Sequence, residues 1–224
     1  MKRVLVIALL AIGFALSASA QTLVLSKDFS QSGPATPSYG GWQVMNGRLY
    51  QTDAANPLAK INFAVPQSGI MQYQFNVRYQ DGLSDSKGGF GIQLYVDKAF
   101  DGRSWGDGHS YLLWINYDEH PSYGGAGLRA QVYRSMSAVD MIIMPGYDIP
   151  LDVSNVLTTN TSLIVPVKIV VNSDTGDVKV YDPTRTDWVY TFSLGAAPGS
   201  GNYIALRTNS LSVSFGDLRV TKLQ

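Results

Sequence analysis

Phe90-Gly-Ile-Gln-Leu-Tyr-Val-Asp97, Tyr111-Leu-Leu-Trp-Ile-Asn-Tyr-Asp118 and Leu128-Arg-Ala-Gln-Val-Tyr-Arg134 follow one another in the chain, and their reading decides the fold. Each alternates with a period of two, as a strand does when one face lies on a core. One phase is apolar: Phe90, Ile92, Leu94 and Val96, then Tyr111, Leu113, Ile115 and Tyr117, then Leu128, Ala130 and Val132. The other phase holds Gln93, Tyr95 and Asp97, then Trp114, Asn116 and Asp118, then Arg129, Gln131 and Tyr133. Paired in sequence order, the three strands would set these side chains on one sheet face. Polar groups are costly to bury against a sandwich core, so that phase is expected to face outward. Amides, a guanidinium, carboxylates and flat rings on a rigid floor suit a hydroxyl-rich ligand, which a few fixed polar groups can orient.

The rest of the chain repeats this pattern. Ile70–Tyr79 alternates Met71, Tyr73, Phe75, Val77 and Tyr79 with Gln72, Gln74, Asn76 and Arg78. Trp42–Met45 and Arg48–Gln51 flank Asn46-Gly47, whose residues both tolerate positive φ, so a tight hairpin is expected. Leu58–Val65 reads as a strand closed by a turn at Pro66–Gly69. Leu163–Tyr181 reads as a hairpin, with Val165, Val167 and Ile169 toward the core and a turn at Ser173–Asp177. Trp188–Leu194, Tyr203–Arg207 and Leu211–Leu223 are the last strands, with Gly216 a bulge position. Thr22–Phe29 alternates weakly, as an edge strand would. Met136–Pro150 is apolar but irregular, with a short strand at Met141–Met144, and Asp152–Leu157 fits one helical turn capped by Asp152. Sixteen Asp stand against a single Glu, Glu119, a ratio that favours turns over helices. The expected fold is all-β: an antiparallel two-sheet β-sandwich or jelly roll.

The ends and the composition bound the function. Lys2 and Arg3, the apolar run Val4–Leu16 and the small residues Ala18-Ser19-Ala20 form a signal peptide over residues 1–20, cleaved before Gln21. The apolar run is shorter than the about 20 residues of a membrane span. A secreted or periplasmic protein with no membrane insertion after cleavage is therefore expected, with residues 21–224 as one domain. Removing Lys2 and Arg3 from the 17 basic residues leaves 15 against 17 acidic ones, a net charge of −2 with no basic run. That argues against nucleic acid and anionic membranes as partners. With no cysteine, disulfides, thiol catalysis and Cys-ligated zinc are excluded.

Catalytic patterns are sparse. No Gly-x-Ser-x-Gly elbow, His-Glu-x-x-His run or phosphate loop occurs. His109 and His120 sit singly in loops at strand ends, where a solvated role or one local hydrogen bond is the ordinary outcome. The loop Asp97–His109, with Asp101-Gly102, Trp105 and Asp107-Gly108, could hold a structural Ca²⁺ through its oxygens, although a plain Asp-Gly turn is the simpler reading. Otherwise no cofactor is expected.

Three segments together resemble the concanavalin A-like lectin/glucanase superfamily, including laminin G-like jelly rolls. They are Trp42-x-Val-x-Asn-Gly-x-Leu49, Val167-Lys-Ile-Val-Val-Asn-Ser-Asp-Thr-Gly-Asp-Val-Lys-Val-Tyr181 and Ser214-Phe-Gly-Asp-Leu-Arg-Val220. The resemblance implies a jelly roll whose concave sheet is the ligand face and whose ligand is commonly carbohydrate. That face would be the one carrying Gln93, Tyr95, Trp114, Asn116, Asp118, Arg129, Gln131 and Tyr133. Tyr95, Trp114 and Tyr133 would form a stacking surface, and the amides and Arg129 would bond hydroxyls. The family's glucanases carry a Glu-x-Asp-x-x-Glu run; the matching strand here reads Trp114-Ile-Asn-Tyr-Asp118-Glu119, with Asp118 alone on the ligand face. A retaining glycosidase needs two carboxyl groups about 5–5.5 Å apart, and no such pair is visible. Three functions stay open: a non-catalytic carbohydrate-binding protein, a structural or assembly subunit of the cell envelope, and a glycan-active hydrolase with an unusual site. For the ligand face, the competing reading is that a loop or partner covers it and that Arg129 merely pairs with Asp118 across the strands.

Overall fold

Alternating segments this short can bury their apolar phase only by stacking two sheets face to face. The computed structural model describes residues 21–31, 33–34, 38–82, 88–118, 127–150, 160–183, 185, 187 and 189–223, with backbone alone for residues 33, 34, 117 and 118. The signal peptide expected over residues 1–20, His120, Trp188 and the helical turn expected at Asp152–Leu157 lie outside the described residues.

The strands are β1 (Thr22–Lys27), β2 (Gly33–Pro34), β3 (Trp42–Met45), β4 (Arg48–Gln51), β5 (Ala59–Ser68), β6 (Ile70–Gly82), β7 (Gly89–Val96) and β8 (Ser110–Asp118). They continue with β9 (Gly127–Ser135), β10 (Met141–Pro150), β11 (Val165–Asn172), β12 (Asp177–Tyr181), β13 (Val189–Ser193), β14 (Ser200–Asn209) and β15 (Leu211–Lys222). Among the described residues there is no helix. One sheet runs β10-β9-β8-β7-β14-β5; the other runs β13-β12-β11-β6-β15-β4-β3-β2, with β1 added on β15. Every pairing is antiparallel. The result is the all-β, two-sheet jelly roll expected from the alternation.

Between the sheets, Phe215 of β15 is fully buried, with the rings of Trp42, Phe75 and Phe90 about it at centroid distances of 6.1, 6.0 and 6.3 Å. Tyr73, Val77, Ile92, Leu94, Ile204 and Leu206 complete the middle of this core. Each such side chain contributes about 1.5–3 kcal/mol of burial, which is how a chain without disulfides is held. Asn46 and Gly47 both have positive φ, 51° and 72°, as the tight hairpin requires. A register shift between Gly216 and Arg219, with Asp217 at φ 50°, makes the expected bulge in β15.

Three expectations need correction. Pro66–Ser68 belongs to β5 rather than to a turn, because Gln67 is held by Tyr203 O and Tyr73 and the chain reverses only at Gly69. Met136–Pro150 gives one ten-residue strand, β10, whose irregular pattern reflects a register break between Ile143 and Asp148 against β9. Val167 is partly exposed, unlike Ile169 and Phe75.

Candidate functional site

The registers place the outward phase of the six-stranded sheet in three rows. The middle row runs across all six strands as Lys60, Arg207, Gly91, Trp114, Gln131 and Asp148. Beside it lies Asn62, Ala205, Gln93, Leu112, Tyr133 and Ile143. On its other side Asn209, Gly89, Asn116, Arg129 and Pro150 form a third row. Six of the predicted site residues, Gln93, Trp114, Asn116, Arg129, Gln131 and Tyr133, thus share one face.

Tyr95 does not join them. It takes φ 57° where β7 slips register against β14, and the reversed phase sends its ring into the core, 2% exposed. The close approach of Gly201 permits the kink, since a β-carbon there would meet Tyr95 Cα at 2.4 Å. Burial pushes the Tyr95 phenol up to about 12. Asp118 ends β8 opposite Gly127, and its side chain lies outside the described residues. Arg129 faces Asn116 in register and forms an ion pair with Asp148 of β10, while the expected pairing with Asp118 falls on a side chain outside the described residues.

The loop Asp97–His109 covers one half of the face. Its Asp107 reaches the fully buried Lys60 Nζ at 3.1 Å, and Lys60 also donates to Ser104 Oγ at 2.7 Å. Arg207, 2% exposed, donates to Ser104 O at 2.7 Å, to Trp105 O at 2.9 Å and to Gln93 Oε1 at 2.8 Å. Burial lowers both cations, Arg207 to about 10, and Asp107 opposes the shift in each. Gly106 passes so close to β9 and its turn that a β-carbon would lie 2.1 Å from Ser137 O. His109 closes the loop through Nδ1 to Asp97 Oδ2 at 2.9 Å. For Asp97, burial acts upward, but hydrogen bonds from His109 and Lys98 outweigh it and hold the carboxyl below its ordinary range. The loop carboxylates Asp97 and Asp107 are thus engaged by His109 and Lys60. Among the described residues no group of three or more potential metal ligands gathers.

The other half is a polar floor beside an aromatic corner. Tyr133 OH donates to Gln131 Oε1 at 2.9 Å, Gln131 Nε2 donates to Asp148 Oδ1 at 3.2 Å, and Arg129 Nε donates to the same oxygen. These bonds hold each side chain in one orientation. Asn116 is 8% exposed, and its Oδ1 is buried with no hydrogen-bond partner. Trp114 is only 9% exposed, so it is floor rather than an open platform; it packs with Leu112, Met141 and Tyr133. Gly91 makes room for it, because a β-carbon there would stand 2.8 Å from Trp114 Cε3. The exposed ring is Trp105, 42% accessible, which donates Nε1–H to Met141 O at 2.7 Å and meets Tyr133 edge to face at 5.9 Å.

Trp105 and Asp107 were visible as part of an unusual loop, but Lys60, Arg207 and Asp148 were not. Each sits in the polar phase of its own strand, and no local signal says that β5 and β14 extend this face. A partly open pocket of about 150 Å³ between the sheets, lined by Phe90, Ile115, Val165, Val167, Val180 and Phe192 among others, is apolar and unsuited to a hydroxyl-rich ligand.

No protein-family model and no curated protein matches the chain. Solved structures do. The carbohydrate-binding module CBM66 from Bacillus subtilis aligns with TM-score 0.53 and 14% identity over 82% of this chain and 92% of its own. The CBM2 module of the evolved Dit of Lactobacillus casei BL23 phage J-1 aligns with TM-score 0.55 and 12% identity over 90% and 95%. Peanut lectin aligns with TM-score 0.52 and 12% identity over 91% and 98%. At such identities the likeness is one of architecture: the chain has the concanavalin A-like jelly-roll fold.

Proposed function

We propose that this chain is an exported, non-catalytic carbohydrate-binding protein. Its ligand face is the outer face of the six-stranded sheet, at the corner formed by Trp105, Tyr133, Trp114, Gln131 and Asn116. The observation that carries the reading is an exposed indole set edge-on to Tyr133 beside amides whose orientation is already fixed. The C–H face of a sugar ring stacks on Trp105, and ring hydroxyls bond the Tyr133 hydroxyl and the Gln131 amide beside it. Preset geometry spares the ligand the cost of ordering the site. Neighbours of the same architecture that are named as carbohydrate-binding modules and lectins support this reading. Export rests on Lys2, Arg3, the apolar run and Ala18-Ser19-Ala20, and secreted material is expected to begin at Gln21.

A glycan array tests it. The parent should be retained on at least one glycan, and Trp105→Ala should weaken that binding about tenfold or more while the chain stays folded, at a stability cost of about 1 kcal/mol for the lost bond to Met141 O. A parent that binds no glycan, or a variant that binds as well as the parent, refutes it. A second reading, a subunit of an envelope assembly, draws on exposed Ile142, Ile143 and Ile149 of terminal strand β10 and Tyr190 of terminal strand β13. Apolar edge strands pair readily with other chains, so in that case the parent would sediment as an oligomer and ignore every glycan.

A further inference from the structure

The opposite side of the sandwich is built differently. On the outer face of the nine-stranded sheet, Arg219, Gln74 and Lys168 form one cross-strand row over β15, β6 and β11. Two rows away Arg78 faces Ser214 and bonds Tyr50 OH at 2.9 Å, while Arg48 reaches Asn76 and Ser214 between them. Lys179 of β12 stands in the next row, beside Val170. The ion pairs among the described residues are Lys60–Asp107, Asp97–His109, Arg129–Asp148 and Asp182–Arg185, so none of these five cations sits in one. Two carboxylates face these five cations without an ion pair of their own, Asp217, which accepts from Asn76 Nδ2 at 2.9 Å, and Asp177, which accepts from Thr175 Oγ1 at 2.6 Å, while Asp182 is ion-paired to Arg185 at 3.1 Å. Positive charge is therefore concentrated on one face of a chain whose formal net charge is zero. Burial first, and the neighbouring Arg78 second, hold the Arg48 guanidinium below its ordinary value. A groove of about 530 Å³ runs over this face, lined by Gln74, Asn76, Lys168, Tyr181, Asp217 and Arg219 among others.

We propose that this groove is a second ligand site, for an acidic polysaccharide carrying carboxylate or sulfate groups. Arg219 and Lys168 flank Gln74 at two strand spacings, about 9–10 Å apart, a separation suited to anionic groups on alternate sugars of an extended chain. Gln74 and Asn76 lie between the cations to bond hydroxyls, and Tyr181, with Lys168 Nζ 4.3 Å above its ring, closes the groove with a flat face. A membrane surface fits less well, because among the described residues the registers place only two exposed large apolar side chains on this face, Leu23 beside Thr221 and Met45 at the far hairpin. Nucleic acid fits less well too, since single strands are held by stacking successive bases on several rings and this groove offers only Tyr181.

The experiment is retention of the mature chain on immobilised polygalacturonate, dextran sulfate and neutral dextran over a series of salt concentrations. The parent should be retained by at least one acidic polymer and not by neutral dextran, with retention falling as salt rises. The double variant Lys168→Ala/Arg219→Ala should lose about tenfold or more in affinity at an unchanged unfolding midpoint, whereas Arg219→Lys should keep most of it. Trp105→Ala should bind the acidic polymer as the parent does, so failure of the six-stranded face and failure of this groove are told apart. No retention of the parent by either acidic polymer, equal retention of the double variant, or equal retention by single-stranded DNA or anionic vesicles would each overturn the proposal.

Discussion

Asp107→Asn removes one negative charge from beneath the loop while keeping the side chain's shape. In the parent that carboxylate is the only one paired with Lys60, and both side chains are fully buried. Arg207, also buried, feels the same charge. Removing one partner of a buried ion pair costs about 3–5 kcal/mol, since the remaining charge keeps its desolvation penalty. The loop could escape by lifting away and letting water reach the cations. Lifting would forfeit the bonds from Lys60 and Arg207 to Ser104 and Trp105, from Gly102 to Ser38, from Gly106 to Ala138, from Trp105 to Met141 and from Asp107 to Ser135. At about 1 kcal/mol net for each, that exceeds the charge penalty, so the loop stays down and the cost is borne in place. Urea unfolding followed by tryptophan fluorescence should then show a loss of about 3–5 kcal/mol with an unchanged m-value.

The pH dependence of that variant has a definite sign. Burial already lowers the folded-state Lys60 from its ordinary 10.5, and losing Asp107 lowers it further. Between the lowered value and 10.5 the unfolded chain holds more protons than the folded one, so stability rises with pH across that window. The deficit should therefore shrink as pH rises toward the ordinary Lys60 value of 10.5. A loss below about 1 kcal/mol, or a deficit that does not shrink, would refute the buried-charge account.

Other outcomes follow from the same packing. Trp114→Ala should cost about 3–5 kcal/mol in denaturant unfolding, because its ring is enclosed by Leu112, Met141 and Tyr133; parent-like stability would mean that the ring is an open platform after all. Gly91→Ala should cost about 1–3 kcal/mol by overpacking, its β-carbon falling 2.8 Å from Trp114 Cε3, and a neutral result would show that the indole can shift. Tyr95 holds its proton to about 12 when folded, against about 10 when unfolded. The folded chain therefore binds more protons in that interval, and stability falls as pH rises through it. Tyr95→Phe should flatten this alkaline limb, and an unchanged limb would place the effect elsewhere.

Much of the sandwich was legible because period-two alternation is a local property. Ile70–Tyr79 alternates without a break, and β6 buries Met71, Tyr73, Phe75, Val77 and Tyr79 as that pattern requires. The Asn46-Gly47 hairpin was equally plain, since two adjacent positive-φ positions leave few other turns. Tyr95 was misplaced for a reason of the same kind. Counting by twos assumes an unbroken pleat, and one residue at φ 57° reverses the phase of all that follows in the strand. Nothing in Leu94-Tyr95-Val96 announces the kink. The room for it comes from Gly201, about a hundred residues later, where β14 meets β7.

The division between sequence and tertiary structure follows from the range of the interactions involved. Alternation, turn chemistry and the lack of cysteine determined by themselves an all-β sandwich with a large apolar core. They also determined that Trp114, Asn116, Arg129, Gln131 and Tyr133 would share a face, because consecutive strands pair in order. What that face is like was decided only in three dimensions. Lys60, Asp107 and Arg207 meet across strands far apart in the chain, and their burial draws the loop over half of the polar phase. Arg129 meets Asp148 because strand β10 turns back along β9. Polar side chains that read as a solvent-facing surface became a buried network, since charge pairing across strands is a long-range event and a period of two records only which way each side chain points.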